Sequence, residues 1–368
     1  MSDTLLVSTR KGLFTVSRGG SGRWEIAKGD FLGDNVSLAI ADHRDGRRYA
    51  ALDHGHFGVK MHRSTADGKW EEIATPTYPP KPEGLVENDM WGRPLPWSTV
   101  RVWALETGGP AEAGVLWCGT IPGGLFRSKD HGLSWQMVRS LWDHPKRNMW
   151  MGGGADLPGL HSIVVDPRDP RALWIAVSTG GIWHTADAGE TWEQRGEGMR
   201  ADHVPPELTH DPIAQDVHCL VQCRAVPERM WVQHHNGIFV SDDEGRTFRE
   251  LTGVEPSVFG FPVAVHPQHP DTAWFVPEIK DEKRIPVGGR LVLTRTRDGG
   301  RSFEVLSTGL PQEHAYDVVY RHALALDGSG NRLAFGSTTG GLWVSENQGD
   351  SWAMVSHTLP PVYAVRFA

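Results

Sequence analysis

Apolar residues in this chain come in short runs and not in long stripes. The stretches SLAIAD (37–42), RVWALE (101–106), HSIVVD (161–166), HCLVQC (218–223), FPVAVH (261–266) and HALALD (322–327) are each followed within two residues by Gly, Pro or Arg. Short apolar runs between turn residues are the pattern of β-strands, and no window approaches the roughly 18 apolar residues of a membrane-spanning helix. Between the runs an octapeptide recurs: SKDHGLSW from Ser128 to Trp135, then TADAGETW, SDDEGRTF, TRDGGRSF and SENQGDSW. Its consensus, [ST]xDxGx[ST][WF], places Asp130, Asp187, Asp243 and Asp298 at the acidic position, with Asn347 in the last copy.

Each copy lies between two apolar runs, as in GGIWHTADAGETWEQ, and reads as strand, tight turn, strand. The residue types suit such a turn. Ser, Thr and Asp side chains bond nearby backbone N–H groups, Gly accepts positive φ, and the closing aromatic packs beneath. Weaker copies at Ser64 to Trp70 and Ser17 to Trp24 bring the number to seven.

The octapeptide resembles the Asp-box, or BNR, repeat of sialidase-like β-propellers, in which it closes the outer hairpin of each blade. The spacing of about 50 to 57 residues fits one four-stranded blade per copy. The expected fold is therefore all-β, a seven-bladed propeller forming a single domain over residues 1–368. The terminal VYAVRFA is an inner strand with no blade after it, and TLLVSTRKGLFTVS and GRWEI are outer strands without an inner one. N- and C-terminal strands are thus expected to share one blade and tie the ring shut.

Composition supports this picture: 43 Gly, 25 Pro and 16 Trp suit many strands and turns. A net charge of −8 with no basic run argues against nucleic acid and anionic membranes as partners, leaving a small-molecule substrate. Three cysteines, Cys118, Cys219 and Cys223, argue against a disulfide framework, and with no signal-peptide pattern the expected location is the cytoplasm.

Aligning the inner strands puts His161, His218 and His322 in one column with Arg101, while Ser37, Phe261 and Val362 fill the other blades. Imidazoles converging on a propeller axis make an N-rich site for a divalent transition metal: zinc, iron, copper or manganese. The second strand of each blade ends at a Gly turn on the same face, which places Arg10, His56 and His235 at the mouth. Arg101 would hold an anionic group, and His235, His56 or Glu278 would move protons. Structural readings exist for all of these. A strand-start His can bond a neighbouring blade, Arg101 can plug the channel against a carboxylate, and His56 and His235 can be solvated turn residues.

Three long inter-blade loops open on that face and carry Glu87, Asp89, Trp91, Trp97, Trp150, His203, His210 and Asp211. The resemblance implies glycoside chemistry, yet TIPGG, the nearest string to the arginine-bearing FRIP motif of sialidases, lacks the arginine, and only five tyrosines are present. Tyr316 and Glu278 are the residues available for a tyrosine–glutamate pair. Three functions remain open. The first is a metal-dependent enzyme acting on a small anionic or polar substrate, by hydrolysis or elimination with zinc and oxidation with iron or copper. The second is a metal-free glycoside hydrolase or lyase, and the third a non-catalytic binding or assembly propeller.

Overall fold

The computed structural model describes residues 1–65, 67–88 and 92–368. It is an all-β protein of seven four-stranded antiparallel blades, a seven-bladed β-propeller. The inner strands are Val36–Ala41, Arg101–Thr107, Leu160–Val165, Val217–Gln222, Gly260–Val265, Leu324–Leu326 and Val362–Phe367. Among the described residues no helix is long and apolar enough to cross a membrane.

The chain divides into two compact units, Met1–His43 with His218–Ala368, and Arg44–Val217, and each boundary falls inside a blade. In the first unit the C-terminal strand completes the N-terminal blade. Leu5 pairs with Phe367, Leu6 with Arg366, Val7 with Val365 and Ser8 with Ala364. The core of this unit centres on Trp274, Phe335, Trp343, Leu5 and Val365, all 2% exposed or less. In the second unit Trp117, Ile175, Val177, Leu160 and Trp183 form the corresponding core. Alternation fails on the middle strands because both faces are covered: all five residues of Leu173–Val177 are buried.

The repeated octapeptide builds the same turn each time. The Thr185 hydroxyl donates to Asp187 Oδ1 (2.7 Å), the Gly189 N–H to Thr185 Oγ1 (3.0 Å), and the Thr191 N–H and hydroxyl to the two Asp187 oxygens (2.9 and 2.6 Å). Two successive residues sit at positive φ, Ala188 at 60° and Gly189 at 92°, which is why glycine recurs there. The hydroxyls of Thr191 and Thr185 hold the Asp187 carboxyl down at about 2. Its contribution to stability is therefore present above the ordinary carboxyl range and lost as pH falls through about 2. Asp187→Ala is expected to cost about 1–2 kcal/mol at neutral pH, read from the urea midpoint, without changing any function of the opposite face.

Candidate functional site

In the unit Arg44–Val217 the ladder register corrects the sequence alignment. Val102 faces Thr120 and Ala104 faces Gly119, so Trp103 is the extra, bulged residue. In the next blade Leu160 faces Val177 and Ser162 faces Ala176, leaving His161 in that place. Trp103, and not Arg101, is therefore the counterpart of His161, with its ring edge-on to the imidazole at 5.6 Å. Arg101 lies two residues earlier and pairs with Asp53 at 3.2 Å. A two-residue slip keeps every side chain on its own face of the strand, so the apolar alternation gives no sign of it.

A bulge also displaces the alignment where the termini meet in the other unit, here by one residue. Val362 faces Thr9 and Ala364 faces Ser8, so Tyr363 occupies the bulge in place of Val362. The column is thus largely aromatic, with Trp103 and His161 in one unit and His218, Phe261, His322 and Tyr363 in the other. His322 accepts from the Arg366 guanidinium at Nδ1 (3.3 Å), which leaves the proton on Nε2. That tautomer does not suit His322 to the metal role predicted for it.

His218 is differently set. Its ring stacks on Phe261 (4.9 Å, 20°) and lies edge-on to Phe259 and His235 at 5.6 Å each. Nδ1 lies 2.7 Å from the Gly260 carbonyl, an acceptor only, so Nδ1 carries a proton. Asp216, one residue before the strand, shares its blade. Among the described residues the one group of three potential ligands is Asp216, His218 and His235, whose ligand atoms lie within 4.8 Å of one another. Neither His161 nor His322 belongs to it.

Glu278 is the most unusual group of this unit. It ends the strand Ala273–Pro277, its N–H donates to the Phe259 carbonyl (2.8 Å), and it is 1% exposed. Neither carboxyl oxygen has a partner at hydrogen-bond distance. Burial, helped by the charge of Asp317, pushes its pKa up to about 8 against the pull of the Val319 backbone. Glu278 is thus a neutral acid at pH 7. Asp317 is also buried and accepts at Oδ1 from the hydroxyls of Ser337 (2.6 Å) and Thr339. Two guanidinium carbons lie over the neighbouring Phe261 ring, Arg284 at 5.3 Å and Arg321 at 5.7 Å. Arg284 belongs to the segment after Glu278, in which Gly288 and Gly289 stand at φ 65° and 67°.

Other predicted residues have other tasks. Arg10 is exposed and its N–H donates to the Pro361 carbonyl, and His56 is exposed and rests on Phe57 (3.9 Å). Glu87 accepts from Trp97 Nε1 (2.7 Å) and from the buried Arg147, which stacks on Trp142, so this loop is pinned by its own side chains. Trp150 is buried against Trp183, and Asp211 caps the turn Pro212–Ala214. His203 is exposed and His210 bonds the Met199 carbonyl. Asp89 and Trp91 lie outside the described residues. Tyr316 is 59% exposed while Glu278 is buried, so the two differ sharply in environment. Cys118, Cys219 and Cys223 are free and buried.

No family model matches the chain. Over 85 residues, 23% of its length, it is 33% identical to an oligoxyloglucan-reducing end-specific xyloglucanase of Emericella nidulans, of which the match spans 9%. A GH74 xyloglucanase from Xanthomonas campestris aligns over 100% of this chain and 52% of that one, with TM-score 0.62 and 17% identity. YCF48 from Cyanidioschyzon merolae aligns over 94% of each chain, with TM-score 0.54 and 14% identity. The chain has the fold of these propellers. It spans about a tenth of the curated relative and about half of the xyloglucanase structure.

Proposed function

We propose that the protein is a carbohydrate-active propeller, a glycoside hydrolase or lyase in which carboxyl groups move the protons. The observation that carries this reading is Glu278, a buried acid still protonated at neutral pH beside the charged Asp317. Glycosidic cleavage asks for two carboxyls whose environments separate their roles, one donating a proton to the leaving oxygen and one acting ionised. Glu278 fits the first role and Asp317 the second. Tyr320, 37% exposed, offers a ring of the kind on which sugars stack. The stretch of similarity to a xyloglucanase supports a carbohydrate as the small-molecule substrate.

Glu278 is covered in this conformation, so reaction requires the residues over it to move.

The reading is tested with a panel of neutral and acidic oligosaccharides, measuring new reducing ends or unsaturated products with and without chelator. Cleavage of at least one class is expected to keep most of its rate after chelation. Loss of the rate on chelation and its return with zinc, iron or copper would instead favour the metal-dependent reading. Absence of turnover on every class would favour a non-catalytic propeller.

A further inference from the structure

We infer that Arg229, Arg249 and Arg301 form a binding site for a phosphate or sulfate group, free or carried on a small sugar, and independent of the glycosidic reading. The three line one cavity of about 260 Å³ together with Asp271, Asp298 and Gly299. All six belong to the unit Met1–His43 with His218–Ala368. Asp271 precedes the strand Ala273–Pro277 and Glu278 follows it, so the length of that strand, about 3.3 Å per residue, stands between the cavity and the acid. Each guanidinium arrives from a different element. Arg229, just before the strand Met230–His234, is fixed by Asp242 at Nε (2.6 Å) and by Asp271 at Nη2 (2.9 Å). Arg249, in the strand Arg249–Glu250, donates from Nη2 to the Gly299 carbonyl (3.4 Å), and Arg301 donates from Nε to the Asp298 carbonyl (2.9 Å). Both are exposed, and among the described residues neither has a carboxylate at ion-pair distance.

The carboxylates of the lining are already engaged. Asp271 is paired with Arg229, and Asp298 accepts from the Ser302 hydroxyl (2.6 Å) and N–H (2.9 Å), the Thr296 hydroxyl and the Arg301 N–H (3.0 Å each). Arg249 and Arg301 are thus the cations left for an incoming anion. The second observation is Gly299. In the five full copies of the octapeptide the residue after the acidic position stands at positive φ, and four of them carry a side chain there: His131 (60°), Ala188 (60°), Glu244 (63°) and Gln348 (59°). Backbone strain therefore does not explain the glycine at 299, where φ is 74°. Space does: a Cβ would lie 2.9 Å from Asp271 Oδ1 and 3.3 Å from Arg229 Nη1, crowding the fixed ion pair and entering the cavity. Guanidinium groups offer planar forks to oxyanions, and three forks around one space suit a group with more oxygens than the two of a carboxylate. The volume lies just below the roughly 300 Å³ at which small-molecule pockets begin, which suits one anionic group with a small body attached.

The test is isothermal titration of the full chain in low-salt buffer with inorganic phosphate, inorganic sulfate and glucose 6-phosphate, with glucose as the neutral control. Saturable binding of the anions and none of glucose is expected, weakening as added salt screens the arginines. Tighter binding of glucose 6-phosphate than of phosphate would assign the group to a sugar ester, and equal affinity to the free ion. Arg249→Gln, Arg301→Gln and Gly299→Ala should each weaken binding at least about 10-fold. Arg23→Gln, which removes the same charge from an exposed position of the same unit, should leave it unchanged. Both cavity arginines are exposed and Ala188 occupies the equivalent turn position, so the variants are expected to fold, checked by circular dichroism. Absence of anion binding by the parent would overturn the proposal. So would parental affinity in any of the three cavity variants, or an equal loss in Arg23→Gln. Because the readout is anion binding, its failure leaves the chemistry of Glu278 untouched, and failure of the hydrolase reading leaves the anion site standing.

Discussion

Replacing Glu278 with Gln is expected to abolish a pH-dependent loss of stability on the order of 5 kcal/mol. The native carboxyl titrates at about 8, against an ordinary value of 4.5. Between these two values the native state holds a proton that the unfolded chain has released. Unfolding therefore becomes easier as pH rises from about 4.5 to about 8, and the full penalty is in place above that. A shift of that size converts to roughly 5 kcal/mol at about 1.4 kcal/mol for each tenfold step. Gln has nearly the same shape and no charge to desolvate. The variant should match the parent at acid pH and be the more stable protein at pH 9. Denaturant unfolding of both proteins from pH 5 to pH 9 reads this directly. Parallel curves would mean that Glu278 titrates normally.

The second large effect is on cleavage. An acid that protonates the leaving oxygen accelerates the step by about 10²–10⁴-fold, and Glu278→Gln should lose that factor on natural oligosaccharides. It should lose far less on aryl glycosides whose phenolate leaves without a proton. This contrast separates a catalytic acid from a structural one, because a distorted fold would slow both substrates alike. Stability gained at alkaline pH together with activity lost is the combination expected of a strained functional group.

Much of the fold can be read from the sequence because the same turn is written at blade spacing. The octapeptide marks each outer hairpin, and the unmatched VYAVRFA finds its partner in the Thr4–Thr9 strand. The site is harder to read, for physical reasons that differ by residue. Trp103 is hidden by a two-residue displacement that leaves the apolar alternation intact, and Tyr363 by a bulge that adds one unpaired residue to its strand. Asp216 carries a signal in the D-x-H spacing of AQDVHC, which the search for a histidine column passes over. The tautomer of His322 is set by Arg366, which is 44 residues away and visible only once the chain is folded. Glu278 is legible as a carboxylate in VPEIKDEKR, but nothing in that charged string foretells 1% exposure. Asp317 stands beside Tyr316, which draws attention as a sialidase-type nucleophile, yet the buried carboxylate is the residue that acts on Glu278.

The central claim is that a buried, protonated Glu278 delivers the proton in glycosidic cleavage. Its most direct test is the pH dependence of kcat/KM, parent beside Glu278→Gln, on one natural oligosaccharide whose leaving oxygen needs a proton. The account predicts an alkaline limb in the parent with an apparent pKa near 8, absent from the variant, whose residual rate runs flat through that range. The same limb in both proteins, or a parental rate that holds constant to pH 10, would contradict it.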